Sequence, residues 1–529
     1  MKPAVQAIVL RGQRFVLAVA ANVTALLVCA CAVGPDFTRP PAPTPEGYAP
    51  KPMAETTASA EVVGGDAQHF VMGRDIPFAW WTLFESPKLN ALVERALKAN
   101  PSIAAAQAAL RQAQEYTSAQ RGYFYPTVAA NYDFERQKLA GNVATTNAPG
   151  LQGNGQVIAP SAPAQPLFYN FQTAQLTVGY TPDVFGSNRR QVESLQAQAD
   201  YQRFEMEATY ITLAGNVVAA AIQEASLHAQ IEATQRFIDQ NAKALEILRN
   251  QFRFGYAMRL DVAAQESALA QAREQLPPLQ KQLEVTHDLL RALVGELPNA
   301  DIDTTFDFAS LKLPTDLPVT LPSKLVEQRP DVRAAEEQMH SASAQVGVAI
   351  AARLPQFTIS GAAGGMAAPF DQMFRSGGPF WSLIGDVTAP LFDGFTLLHR
   401  QRAAEQGLIQ AEAQYRSTVI TAFQNVADTL HVVQSDAESL AACTDAERAA
   451  KVMMDVTERQ YKAGYVNYLI LLAAQEAYQQ SIITLVQAQS NRYGDTAALF
   501  QALGGGWWNR TELTEQTSAT STAGGAKTD

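Results

Sequence analysis

The feature that most constrains this chain is that it contains itself twice. Asn100-Pro101-Ser102-Ile103 returns as Arg329-Pro330-Asp331-Val332, 229 residues on, and at the same offset Tyr125-Pro126-Thr127-Val128 returns as Leu354-Pro355-Gln356-Phe357. Asp183-Val184-Phe185-Gly186 matches Pro390-Leu391-Phe392-Asp393-Gly394 at about 207. Gln251-Phe252-Arg253-Phe254-Gly255-Tyr256 matches Gln460-Tyr461-Lys462-Ala463-Gly464-Tyr465 at 209, and Ala292-Leu293-Val294-Gly295 matches Ala502-Leu503-Gly504-Gly505 at 210. Landmarks in one order mark a duplicated unit, which overrides the several independent domains that 529 residues would otherwise suggest. The expected segmentation is 1–30 a leader, 31–75 an extended N-terminal segment, 76–300 the first repeat, 301–508 the second and 509–529 a disordered tail.

Each repeat reads as helix, two strands, long helix, turn, long helix. Ser187 to Phe254 contains no proline and one glycine, Gly215; about 68 helical residues make a rod on the order of 100 Å. Ile231, Ile238, Leu245 and Phe252 recur every seven residues, the spacing of a supercoiled seam. After the turn, Leu269, Ala272, Leu276, Leu279, Leu283, Leu290 and Leu293 keep three-to-four spacing, with Pro277-Pro278 expected to kink the helix by removing two donors.

The helices alone fit an ordinary coiled coil; the strands do not. In Pro126–Phe134, Val128, Ala130, Tyr132 and Phe134 alternate with Thr127, Ala129, Asn131 and Asp133, and in Phe171–Tyr180, Ala174, Leu176, Val178 and Tyr180 alternate with polar or small residues. In the second repeat, Phe357 and Ile359 alternate with Gln356, Thr358 and Ser360, and Trp381, Leu383 and Val387 with Ser382 and Asp386. Runs of about 9–10 residues alternating in this way suit tilted transmembrane β-strands. The links near Gln137–Pro166 and Gly364–Pro379 read as external loops. Four strands cannot close around a lumen, and open edges in lipid are costly, so several chains must share one barrel.

Charge and composition narrow the function. The net charge of −11 and the absence of a basic aromatic patch exclude nucleic-acid binding. Charged residues are only 17% of the chain, below the roughly 25% of ordinary soluble domains, which points to small-residue helix packing or lipid contact. Lys2, Arg11 and Arg14 precede an apolar run from Phe15 to Val28, too short to span a bilayer. Ala30-Cys31 at its end resembles a bacterial lipoprotein cleavage box, with Cys31 as the acylated first residue; a plain secretory signal with incidental cysteines is the alternative. Processing at Cys31 leaves Cys443 as the remaining thiol, expected to be a small buried hydrophobe. The Pro-rich stretch after Gly34 suits a tether running along a surface.

No reaction chemistry is visible. The six histidines are scattered, with no two spaced by three or four residues, and zinc or haem spacing, a Walker loop and a G-x-S-x-G elbow are all absent. The expectation is a non-enzyme with no cofactor and no metal site.

The start Cys31-Ala32-Val33-Gly34-Pro35-Asp36-Phe37, the duplicated helix–hairpin–helix unit, Asp183-Val184-Phe185-Gly186 and Pro390-Leu391-Phe392-Asp393-Gly394 together resemble the outer membrane factor family, the TolC-like exit ducts. The likeness is to the NodT-type lipoproteins of resistance-nodulation-division (RND) tripartite pumps, and it spans about residues 31 to 508. It implies a mainly α fold with transmembrane β: a homotrimer with a 12-stranded outer-membrane β-barrel, four strands from each chain, continued by a periplasmic α-helical barrel. It implies an outer-membrane efflux channel passing small toxic compounds, with a periplasmic adaptor protein, an inner-membrane RND pump and outer-membrane lipid as partners. Type I protein secretion through a duct of the same build is the alternative, and a non-channel lipoprotein scaffold a third.

The resemblance assigns the two helix-to-helix turns to the periplasmic end. Gly255, Gly464, Tyr465 and Asn467 are the expected adaptor contacts, and Asp261, Arg259, Tyr256, Tyr468 and Ile470 the expected tip and gate. Asp261 is the acidic gate residue, or else only the N-cap of its helix. Ile470 and Ala473 stand where relatives often carry acids, so an Ile470 ring would close by dewetting instead. Arg259 and Tyr468 would tie neighbouring tips.

Overall fold

The computed structural model describes residues 32–43, 47–48, 54–139, 167–302 and 305–510. The leader, Cys31, the link 140–166 and the tail 511–529 lie outside the described residues. The described chain runs β1 (His69–Met72), α1 (Pro87–Ala99), α2 (Pro101–Arg121), β2 (Thr127–Leu139), β3 (Leu167–Tyr180), α3 (Ser187–Arg253) and α4 (Arg259–Leu293). It continues through β4 (Asp316–Val319), α5 (Pro322–Gln328), α6 (Pro330–Ala351), β5 (Gln356–Ala367), β6 (Pro379–Thr388), α7 (Thr396–Lys462) and α8 (Tyr468–Ala502).

The two halves correspond element by element. Both α3 and α7 have 67 residues, and both α4 and α8 have 35. From Ser187 to Thr396, from Arg259 to Tyr468 and from Gly295 to Gly504 the displacement is a constant 209. This corrects the offset of 210 read at the last landmark. The C-caps are Val294 and Leu503, with the same backbone angles and the same carbonyl partners, so Gly295 answers to Gly504 and not to Gly505. In the second half an additional left-handed residue, Phe395, follows Gly394 just before the helix, which absorbs the change of offset there.

The chain folds as two compact units. One gathers the described parts of Met1–Phe37, Ala113–Ala197 and His340–Gln410, and contains the four-stranded sheet. Its order is β2-β3-β5-β6, all antiparallel, leaving β2 and β6 as the two edges. The register puts Val128, Val178, Gly361 and Leu383 in one cross-strand row and Ala130, Leu176, Ala363 and Trp381 in the next, on one face. Val128, Leu176, Trp381 and Leu383 are exposed there. The opposite rows hold Asn131 with Gln175, and Thr177 with Ala129 and Ser382 across Ala362. One face is an apolar band, the other polar.

Two strand boundaries differ from the sequence reading. β2 and β3 run on through Glu135↔Phe171 to Leu139↔Leu167, because ladder hydrogen bonds need no apolar side chains and the alternation test stops at the charged residues. Gly364 to Ala367, read as loop, pair with Phe380 and Pro379 or with β3. In the same unit, Val33 donates its N–H to the Phe185 carbonyl (3.1 Å), and buried Arg190 donates to the Val33 carbonyl and to Asp36. Gly34 (φ +100°) lies so close to Gly347 that a Cβ would meet its Cα at 2.4 Å, and Phe37 stacks on His340 at 4.3 Å.

The second unit holds Thr38–Gln112, Gln198–Met339 and Ala411–Asp529 as far as described. β1 pairs in parallel with β4, a contact the Pro-rich composition hid. In the same unit Ile76, Trp80, Phe84, Phe306, Tyr493 and Phe500 are buried, with the Trp80 ring 5.5 Å from Phe500 and the Phe84 ring 6.4 Å from Tyr493. On α7 the buried stripe is Val426, Leu430, Val433, Ala437, Leu440 and Thr444, alternating steps of four and three. Cys443 lies off that stripe and is half-buried, not core. On α3 the expected seam survives only at Ile238 and Leu245; Ile231 is half-buried and Phe252 is 40% exposed. α4 runs unbroken through Pro277 and Pro278. Both prolines are exposed, as are Arg273 and Glu274 four residues before them, so water can take the freed carbonyls. Among the described residues no helix is long and apolar enough to cross a membrane.

Asp436 on α7 stands against Asp495 on α8, beside the fully buried Arg492 guanidinium, which donates to the Asp66 carbonyl at 2.6 Å. Burial, then the neighbouring Asp495 carboxyl, pushes Asp436 up to about 7 against the pull of Arg492. A carboxyl whose pKa the fold raises contributes stability that is complete below its unfolded value and is lost as pH rises through about 7. Asp436→Asn is therefore expected to raise the thermal midpoint at about pH 8 and leave it nearly unchanged at about pH 4. Circular-dichroism melts across pH check this; an equal shift at both ends contradicts it.

Candidate functional site: the paired helix turns

Both long hairpins turn in the same way. The Gly255 N–H donates to the Phe252 carbonyl (3.0 Å) and the Tyr256 N–H to the Gln251 carbonyl (2.8 Å); Gly464 and Tyr465 repeat this on Tyr461 (3.0 Å) and Gln460 (2.9 Å). This is the Schellman closure, which needs a left-handed residue after the helix, and the glycines supply it at φ +81° and +78°. The residue after each glycine projects outward: Tyr256 is 85% and Tyr465 82% exposed. The next helices start differently. The Asn467 side chain accepts from the Ile470 N–H (3.1 Å) and so caps α8. At α4 the N-cap is Met258, and Asp261 reaches back from the third position to accept the Met258 N–H at 3.1 Å. Asp261 is thus not the N-cap residue, although its carboxylate does satisfy an orphan donor and favours the positive end of the helix.

Beneath the turns an apolar cluster of Phe237, Ile238, Leu245, Leu248, Val262, Leu269, Leu471 and Leu472 encloses three polar side chains. Gln265, fully buried, donates to the carbonyl of Asn241 (2.9 Å) and to its Oδ1 (2.8 Å), and Asn241 donates to the Phe237 carbonyl (2.8 Å). The Tyr468 hydroxyl donates to Gln265 Oε1 at 2.5 Å. The network joins α3, α4 and α8, and so fixes the second turn to the first hairpin within one chain. Burial, with Tyr461 and Asp261 nearby, raises the Tyr468 phenol above its ordinary value, keeping it a donor. Tyr461 meets its ring edge-on at 5.5 Å.

The structure therefore separates the expected residues. Tyr256, Arg259, Tyr465 and Ile470 lie on the surface at the turns, Ile470 49% exposed, and Ala473 is exposed beside it. A shallow, largely apolar groove of about 400 Å³ runs along Met453, Thr457, Leu469, Ile470 and Ala473. Tyr468 is only 5% exposed, with its hydroxyl committed inside the chain. Asn241 and Gln265 escaped the sequence reading, where a Gln and an Asn in a Gln-rich helix look like solvent-facing residues. Their only signal is that both fall on the apolar stripe, Asn241 between Ile238 and Leu245.

Tyr468→Phe leaves Gln265 Oε1 buried without a donor and is expected to cost about 1–3 kcal/mol. Gln265→Met added to it should deepen the loss, because the buried Asn241 Oδ1 then loses its donor as well. Hydrogen exchange of the α4 and α8 first turns measures both; wild-type protection in Tyr468→Phe contradicts the assignment.

The family profile described as "Outer membrane efflux protein" matches residues 92–296 and 321–505. The pyoverdine export outer membrane protein OpmQ of Pseudomonas putida is 30% identical over 429 residues, 81% of this chain and 88% of the relative. The toluene efflux pump outer membrane protein TtgC of Pseudomonas putida is 26% identical over 509 residues, 95% of this chain and 98% of the relative. The CmeC outer membrane channel of Campylobacter jejuni shares the fold, with a TM-score of 0.77 at 18% identity over 92% of this chain and 98% of the channel. Two matched segments, each carrying a strand pair and two long helices joined by a glycine turn, place this chain in the outer membrane efflux protein family.

Proposed function

We propose that this chain is the outer-membrane exit duct of a tripartite efflux system, working as a homotrimer. The observation that carries the reading is the sheet: an apolar band on one face, polar rows on the other, and edges at β2 and β6. Three such sheets joined edge to edge make a 12-stranded barrel that leaves no unpaired backbone in lipid and a polar lumen inside. The long helices then form the periplasmic helical barrel, from the two repeats 76–300 and 301–508. Conduction is passive and needs no reaction, because the inner-membrane pump supplies the energy and chooses the cargo. The relatives' names, pyoverdine export and toluene efflux, support small molecules as that cargo.

The turns are the periplasmic mouth in this reading. Gly255, Gly464, Tyr465 and Asn467 shape the surface met by the adaptor, with the groove at Leu469 and Ile470 as its apolar floor. Asp261 and Arg259 bring charge to the constriction, Tyr256 and Ile470 bring bulk, and Tyr468 positions the second turn through Gln265. Three Asp261 carboxylates around one axis hold cations and repel anions. Cys31 is the lipid attachment point. Support comes from its neighbours: Ala32 lies against Gly186 and Val33 is bonded to Phe185, at the junction where β3 gives way to α3.

Photo-crosslinkers placed at Tyr256 and Tyr465 in cells, followed by mass spectrometry, test the assembly. The expected products are a trimer, a periplasmic adaptor and a proton-driven pump; capture of an ATP-driven exporter instead would reassign the duct to protein secretion. In planar bilayers, Asp261→Asn is expected to lower the cation-over-anion permeability ratio of the purified trimer at low salt. An unchanged ratio removes Asp261 from the constriction.

A further inference from the structure

Glu224, His228 and His287 meet on the α3–α4 hairpin, far along both helices from the turn. Glu224 is fully buried. His287 Nε2 lies 3.0 Å and His228 Nε2 3.5 Å from the same oxygen, Glu224 Oε1, and the ligand atoms of all three residues lie within 4.8 Å of one another. The Phe306 N–H approaches Oε1 at 3.4 Å. Two atoms of the cluster are buried and unsatisfied: Glu224 Oε2 and His228 Nε2. Glu224 Oε2 makes no hydrogen bond and His228 Nε2 has only its 3.5 Å approach to Oε1, so each forgoes a hydrogen bond's worth of stabilisation, a cost native interiors avoid.

From this we infer that the three side chains form a divalent-cation site, with Zn²⁺ the best-matched ion. A tetrahedral zinc with bonds of about 2.0–2.1 Å separates its ligand atoms by about 3.3–3.4 Å; the Glu224 oxygen stands 3.0 Å from one imidazole nitrogen and 3.5 Å from the other, on either side of that spacing. Two neutral imidazoles and one carboxylate are borderline-soft donors that select zinc and its first-row neighbours over calcium or magnesium. The His228 and His287 side chains keep 36% and 22% of their surface exposed, so the ion has a route in and water can take the fourth position. The ion joins Glu224 and His228, one helical turn apart on α3, to His287 on α4, and so clamps the hairpin about 31 residues from its turn on each helix (255 to 224, 256 to 287).

The test uses the full chain extracted in detergent through a tag without histidine, stripped with chelator and dialysed against Zn²⁺ alone. The expected result is about one zinc per chain by elemental analysis, a higher thermal midpoint with zinc than without, and a tetrahedral d–d spectrum when Co²⁺ replaces it. His228→Gln and His287→Gln should each weaken zinc binding at least about tenfold, while His431→Gln, on the exposed face of α7, should leave it unchanged. His228 is partly exposed, so its variant is expected to fold, and heat-resistant trimer on gels verifies that. Failure of the wild-type chain to bind stoichiometric zinc, or undiminished binding by folded His228→Gln, overturns the site.

Discussion

A backbone hydrogen bond left unmade in hydrocarbon costs several kcal/mol, and a four-stranded sheet has two rows of them. In the proposed trimer that cost is what joins one chain to the next. The apolar face that carries Val128, Leu176, Trp381 and Leu383 suits lipid, whereas the edges β2 and β6 carry unpaired backbone, and in the proposed trimer each edge is met by a copy of the chain. Closure by a strand pair from each half explains why a duplicated chain is useful: one copy contributes β2 and β3, the other β5 and β6, in equivalent positions.

Duplication also dictates how the helices end. The same glycine closes each long helix, at Gly255 and Gly464, and the same glycine closes each returning helix, at Gly295 and Gly504. Left-handed geometry is a backbone requirement, so it persists where side chains have diverged. The side chains around it have indeed parted. Asp261 answers to Ile470 across the 209-residue displacement, one reaching back to the N-cap backbone, the other lying exposed at a groove and leaving the capping to Asn467. The two turns therefore offer different surfaces, one charged and one apolar, to whatever meets them.

Buried polar groups mark where packing alone was insufficient. Gln265 joins three helices through Asn241 and Tyr468, so a slip of register there would break a bond and bury an orphan. Asp436 against Asp495 and Glu224 between two histidines have a different character, because each keeps an unsatisfied oxygen in the interior. Such groups are strained by pH or answered by a cation, and they lie in the helices, outside the sheet.

Periodicity is a local property, and what it encodes was legible in the residues themselves: the repeat, the long helices, the four alternating strands and the glycine turns. Each of these follows from side-chain spacing along one element or from a backbone angle that few residues adopt. Which helices touch was not legible, because contact depends on how far two elements run before they meet. The sequence shows His228 and His287 as isolated histidines 59 positions apart (228 to 287); only the hairpin, folding about Gly255, brings them to one carboxylate. In the same way Tyr468 reads as a surface tyrosine beside a turn, and tertiary packing made it a buried donor to Gln265, since a long amphipathic side chain goes wherever its ring is covered and its hydroxyl is met.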